Sequence, residues 1–163
     1  MGTKGREIVQ VDVKALIELL RNAYADEWLA YYQYWVSAQI VKGRRRNEVV
    51  SELTEHAGDE LRHAELLSER IMQLGGAPIT NITELNESAN CKYADPANPD
   101  SVEILKQVID GERCAIDVYN KLLDMLRHKD PVTYHVILEI IEDEIEHEDD
   151  FETLLEDIQS CGE

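Results

Sequence analysis

Apolar residues return every three or four positions along four long stretches of this chain, and nowhere does a period of two compete. That spacing marks helices with one face turned to a core. The first stripe runs Val13, Leu16, Leu20, Tyr24, Glu27, Tyr31, Tyr34, Ala38, Val41, and the second Val49, Leu53, His56, Glu60, His63, Leu67, Ile71. The third is Leu105, Val108, Glu112, Ala115, Tyr119, Leu122, Leu126, and the fourth Thr133, Ile137, Ile140, Glu144, His147, Phe151, Leu154, Ile158. Start and stop signals bound them. Asp12 is an N-cap, Gly43 breaks the first pattern, and Gly75-Gly76-Ala77-Pro78 stops the second. Asp100 or Ser101, with Glu103 following, caps the third. Asp130-Pro131 opens the fourth with proline at the first helical position. Helices are therefore predicted over about 12–42, 46–74, 100–128 and 131–160.

The links decide the architecture. Those between the first and second helices and between the third and fourth are short, whereas 75–99 is a long connection rich in Gly, Asn and Pro, with one short helical turn near 82–86. Short, long, short reads as an all-α four-helix bundle with a crossover between helices two and three, forming a single domain over 1–163. The reach is sufficient. Helices of this length span about 42 Å, and a connection of that size extends to about 80 Å. Residues 1–10 are polar and read as loose.

Each stripe carries an acid where an apolar residue belongs. Glu27 and Glu112 stand alone in theirs, and Glu60-x-x-His63 and Glu144-x-x-His147 place a carboxylate and an imidazole on one helical face. In a helical hairpin, residues equidistant from the turn lie at one height. The midpoint of Glu27 and Glu60 falls between Gly43 and Arg44, and that of Glu112 and Glu144 falls at His128, so both pairs are level within their hairpins. An unpaired buried carboxylate costs several kcal/mol. Four of them with two imidazoles are offset by two divalent cations, which make the centre locally neutral. Oxygen and nitrogen ligands without thiolate suit iron or manganese, two ions per subunit. Tyr24, Tyr31, Tyr34 and Tyr119 line neighbouring turns; core filling is the favoured reading over hydrogen bonding to the acids. His56, one turn before Glu60 on the same stripe, reads either as a partner behind the ligands or as a satisfied core histidine, the latter narrowly favoured.

Composition changes this picture little, but charge excludes some classes. A net charge of −18 argues against nucleic acid as a main partner, because such binding neutralises phosphates with Lys and Arg. It favours cations. The cluster Arg44-Arg45-Arg46 is a solvated loop on this reading. No apolar run reaches membrane-span length and no signal-peptide pattern opens the chain, so a cytoplasmic protein is expected. Cys91, Cys114 and Cys161 are too scattered for a zinc knuckle or a disulfide framework.

One Glu from each of two helices, with Glu-x-x-His from the other two, resembles the ferritin-like superfamily of di-iron carboxylate proteins. The doubled Glu-x-x-His looks like bacterioferritins and rubrerythrins. The resemblance implies terminal roles for Glu27 and His63 with Glu60 bridging, and the same roles for Glu112 and His147 with Glu144 bridging. Departures narrow it. Leu61 stands where bacterioferritins carry a haem-binding Met, so haem is not expected. The fourth helix runs to Ser160-Cys161-Gly162-Glu163, leaving no room for the fifth helix of a 24-subunit shell. No Cys-x-x-Cys rubredoxin module is present. What remains resembles the Dps-like group, or thioferritins, for which a bacterioferritin-type site, a twelve-subunit shell and a cysteine pair near the site are implied. Cys91 and Cys114 match that pair. Cys114 lies two residues past Glu112 and points to the outer face, where the crossover can pack; a bonded pair and two ordinary thiols both stay open.

The resemblance implies a ferroxidase that oxidises Fe(II) with peroxide or dioxygen and stores Fe(III) in a homo-oligomeric shell, twelve subunits favoured over 24, with protection against oxidative stress; the net charge, and not the resemblance, is what argues against DNA binding. The alternative is a rubrerythrin-like peroxidase or a manganese catalase without storage. Glu139, Glu142, Asp143, Glu146, Glu148 and Asp149, which flank the fourth-helix pair, are candidates to line the pores and cavity of such a shell, though most read as an ordinary solvated face.

Overall fold

A computed structural model describes residues 3–160, and the fold among them is helical. In chain order the helices are α1 (Thr3–Glu7), α2 (Val13–Ile40), α3 (Arg46–Leu74), α4 (Ile82–Ser88), α5 (Ser101–Leu126) and α6 (Pro131–Ser160). The four long ones make the bundle. Hairpin α2/α3 packs on hairpin α5/α6 through α3 against α6 and α2 against α5. Two expectations are corrected at the N-terminus and the crossover. Thr3–Glu7 is a short helix rather than loose chain, and the turn near 82–86 extends to the full α4. Cys161 lies outside the described residues.

The ends follow local chemistry. Asp12 accepts from the amides of Lys14 and Ala15, Asp100 from that of Val102, and Asp130 from those of Val132 and Thr133. Each carboxylate satisfies amides that the first helical turn leaves without partners. Gly75, at φ 98°, ends α3 in the left-handed region that glycine adopts without steric penalty. The amide of Gly76 then donates to the Ile71 carbonyl at 2.9 Å.

The crossover is anchored along its length. Its end is tied to the α2–α3 turn, where Lys42 donates its amide to Pro99 and Ser101 donates to the Lys42 carbonyl. In between, Ile79, Leu85 and Ala89 bury against Ala25, with Tyr24, Trp28 and Leu29 alongside. At the bundle's other end the Gln10 amide donates to the Lys129 carbonyl, beside the α5–α6 turn.

Two apolar cores fill the bundle. One holds Leu16, Leu20, Leu67, Ile71, Leu126 and Ile137, the other Val49, Leu53, Ile104, Leu105, Phe151 and Ile158. Between them every long helix contributes a buried polar residue: Glu27, Glu60 with His63, Glu112, and Glu144 with His147. A polar layer with apolar walls on both sides is the frame for the site.

A second buried polar group stands at the α5–α6 end. The Arg70 guanidinium donates to both oxygens of Asp130, at 2.9 and 3.2 Å, and to Thr133. Asp130 is fully buried. Arg70→Ala leaves that carboxylate without its cation, and removing one partner of a buried pair costs about 3–5 kcal/mol. The variant is expected to melt well below the parent in calorimetry; an unchanged melting temperature would contradict the assignment.

Candidate metal centre

The layer closes into two overlapping sets of ligand-bearing side chains. Glu27, Glu60, His63 and Glu144 form one, and Glu60, Glu112, Glu144 and His147 the other. His63 turns Nδ1 inward, 3.4 Å from Glu27 Oε2, 3.4 Å from Glu60 Oε2 and 3.1 Å from Glu144 Oε1. His147 does the same, with Nδ1 3.4 Å from Glu60 Oε1, 3.7 Å from Glu112 Oε1 and 3.8 Å from Glu144 Oε2. Glu60 and Glu144 thus each offer one oxygen to the His63 side and the other to the His147 side. Glu27 faces only the first and Glu112 only the second.

These contacts are close without being aligned as hydrogen bonds. Glu27 Oε2, Glu60 Oε1, Glu144 Oε1 and Nδ1 of both histidines are buried and find no hydrogen-bond partner. Buried polar atoms are ordinarily satisfied, so five convergent orphans call for an occupant. Divalent cations supply what that donor set lacks. The residues present therefore fit a pair of them.

Charge in the metal-free chain shows the same tension. Burial, then the charges of Glu144 and Glu60, push the carboxyls of Glu27 and Glu112 well above their ordinary value. For Glu60, burial acts upward, but the imidazoles of His147 and His63 outweigh it and hold the group below the usual carboxylate range. Burial works against a charge on His63, yet the carboxylates of Glu144, Glu27 and Glu60 prevail and raise it. His147 rises to about 10: burial opposes the charge, and Glu144 and Glu60 overcome it.

The partners behind the six residues cross between hairpins. Tyr119 of α5 donates its hydroxyl to Glu27 of α2, and Tyr34 of α2 donates to Glu112 of α5. Outward Nε2 of His63 lies 3.0 Å from Asp143, and that of His147 lies 3.7 Å from Asp59. A carboxylate behind a histidine fixes which ring nitrogen faces the centre. Arg62 in turn pairs with Asp143 and, at 3.0 Å, with Glu139.

A small cavity of about 40 Å³ opens beside the centre, lined by Glu27, Glu60, Glu112 and Glu144 and, from the crossover, Cys91 and Tyr93. Cys91 is disulfide-bonded to Cys114, with 5.9 Å between Cα atoms. The crossover is held here by Asp26 as well, which accepts from the Asn90 side chain and the Cys91 amide. Burial raises the Asp26 carboxyl to about 6 against the pull of those bonds. A larger groove of about 560 Å³ lies beyond Cys114 and touches none of the six residues.

Comparison with known proteins gives the family to which this fold belongs. Residues 17–161 match the ferritin-like domain family. This chain belongs to the ferritin family. It is 40% identical over 160 residues to a Pyrococcus furiosus protein named for DNA protection during starvation, covering 95% of this chain and 86% of that one. A Desulfovibrio desulfuricans bacterioferritin is 29% identical over 150 residues, covering 91% and 78%. Among solved structures, the dodecameric thioferritin of Bacteroides fragilis, a bacterioferritin-related protein, superposes with a TM-score of 0.96 at 40% identity over 98% of this chain and 96% of that one. The Vibrio cholerae Dps protein shares the fold, with a TM-score of 0.81 at 17% identity over 88% and 90%.

Several sequence readings change within this ferritin-like frame. Tyr34 and Tyr119 do more than fill the core, since each holds a carboxylate of the centre. Asp143 and Glu139 are not a plain solvated face; they meet His63 and Arg62. His56 is buried, but it is not satisfied, because neither ring nitrogen has a hydrogen-bond partner. Of the two cysteine readings, the structure has the bonded pair. Asp59 and Asp143 are histidine partners that the apolar stripes do not single out, yet the sequence carries a signal for them: each directly precedes its Glu, so the motif is Asp-Glu-x-x-His in both halves.

Protons held by the raised groups must leave when cations arrive. Cation uptake near neutral pH should release protons, and apparent affinity should fall as pH is lowered. Calorimetric titration in buffers of different protonation enthalpy measures this; zero released protons would contradict the site.

Proposed function

We propose that this chain is a cytoplasmic ferroxidase of the Dps-like, thioferritin kind, acting as one ferritin-like domain and storing the oxidised iron in a shell of twelve copies. The observation that carries the reading is the shared pair Glu60 and Glu144, each aiming one oxygen at either histidine. Such carboxylates bridge two cations, with Glu27 and His63 terminal on one and Glu112 and His147 terminal on the other. Fe(II) is the substrate for this donor set, with manganese also compatible.

The chemistry balances with two substrate ions. Two Fe(II) give one electron each to hydrogen peroxide, and with two protons the products are two Fe(III) and two waters; with dioxygen the same two electrons and two protons give peroxide. Taking both electrons together avoids the hydroxyl radical that a single electron would make. The chain's own part is to hold both ions in fixed relation. Tyr34 and Tyr119 hold the terminal carboxylates, and Asp59 and Asp143 orient the imidazoles. The cavity under Cys91 has room for one molecule of water size, whose share of liquid volume is about 30 Å³, which suits peroxide or dioxygen.

Relatives support the rest. The Bacteroides fragilis protein is a dodecamer and the Pyrococcus furiosus protein is named for DNA protection. With −18 net charge on this chain, protection by removal of iron and peroxide fits better than contact with DNA.

Glu60→Ala or Glu144→Ala is expected to abolish rapid Fe(II) oxidation in stopped-flow absorbance while the metal-free bundle stays folded, because a buried like-charge cluster is relieved. Oxidation at the parental rate would remove the assignment. Excess Fe(II) with peroxide should load far more iron per particle than the dinuclear sites hold. Saturation at two per chain would instead favour a rubrerythrin-like peroxidase, and oxygen evolution by a manganese form would favour catalase. Cys91→Ser should alter the response to peroxide; unchanged kinetics would reduce the disulfide to a tie between crossover and α5.

A further inference from the structure

Along α6, several acids have arginine partners. Asp143 and Glu139 meet Arg62, Glu148 and Glu152 meet Arg113, and Asp157 meets Arg45. Asp150 differs. It faces Glu52 of α3 across His56, and among the described residues no lysine or arginine neutralises either carboxylate. His56 Nε2 lies 3.5 Å from Glu52 Oε2 and 3.6 Å from Asp150 Oδ2. The ring is 4% exposed, and neither nitrogen has a hydrogen-bond partner. Two half-exposed carboxylates thus converge on a buried, unpartnered imidazole.

The spacing suits a cation. Ligands about 2.1 Å from a tetrahedral ion are about 3.4 Å from one another, close to the two separations found. All three ligand atoms lie within 4.8 Å of one another. Oxygen and nitrogen donors without sulfur take a divalent transition metal. Packing keeps the ring where it is: Phe151 meets it edge-on at 4.8 Å and the His147 ring lies 4.0 Å away.

The position adds a second consequence. His56 also belongs to a cluster with Asp59 and His147, and His147 belongs to the dinuclear set. From the half-exposed Glu52 and Asp150, each group of donors therefore shares a residue with the next, ending at Glu60, Glu112 and Glu144.

We propose that Glu52, His56 and Asp150 form a third divalent-cation site, from which cations pass by way of Asp59 to the dinuclear centre. The site itself stands on its own geometry, whereas the passage rests on the ferroxidase reading.

The test uses Co(II) on the full chain, so it needs no turnover. Crystals soaked in Co(II) should show anomalous scattering at Glu52–His56–Asp150 as well as at the two dinuclear positions. Glu52→Gln with Asp150→Asn, a surface double variant, should lose the first peak and keep the other two; His56→Gln should do likewise. In Glu60→Ala the third peak should persist. Occupied dinuclear positions with nothing at His56 would overturn the third site and leave the ferroxidase reading standing. Peaks at neither would overturn both. For the passage, the double variant at limiting Fe(II) should fill the dinuclear centre about tenfold more slowly, the scale on which lost supporting ligands weaken metal sites, with the same plateau. A parental filling rate would overturn the passage.

Discussion

Four carboxylates and two imidazoles occupy the middle of a bundle where apolar side chains would otherwise meet, and everything around them answers to that. Like charges at this depth repel strongly, because the low-dielectric interior screens little. Glu27 and Glu112 respond by favouring their protonated forms, and the histidines by holding protons. On the function proposed above, two divalent cations would remove the conflict at once. The apolar cores on either side then become assets, since they exclude water and fix the side chains without competing for the ions.

The two halves of the bundle depend on each other for this. Neither hairpin contains a complete set: Glu27, Glu60 and His63 come from one, but Glu144 completes their group from the other. The supporting contacts cross in the same sense, with Tyr119 on Glu27, Tyr34 on Glu112, Asp143 on His63 and Asp59 on His147. Every residue of the centre except the shared pair is therefore held from the opposite hairpin. A shift of one hairpin along the other would break all four supports together. The docking of the hairpins and the geometry of the centre are one constraint.

The crossover serves the centre as well as joining the hairpins. Asp26, next to Glu27 in the chain, binds the backbone at Cys91, and Cys91 is bonded to Cys114, two residues beyond Glu112. The strap is thus fastened beside a terminal acid on each of two helices. It roofs the small cavity that reaches all four glutamates. On the α3–α6 side His56 stands between the half-exposed Glu52 and Asp150 and the buried His147.

What the chain determined alone was periodic and local. A helix repeats every 3.6 residues, so stripes, caps and breaks announced four long helices, and Glu27, Glu60, His63, Glu112, Glu144 and His147 declared themselves by interrupting apolar faces. Even their common height followed from counting to the turns. Tertiary structure decided what counting cannot reach. Which oxygen of Glu60 faces which histidine, that Tyr34 and Tyr119 hold acids on other helices, and that Asp143 lies behind His63 all depend on rotation of one helix against another. So does His56, whose place in the stripe resembled that of any core histidine until its neighbours were known. Spacing along one helix fixes the face on which a residue lies; only the packing of several helices fixes what that face meets.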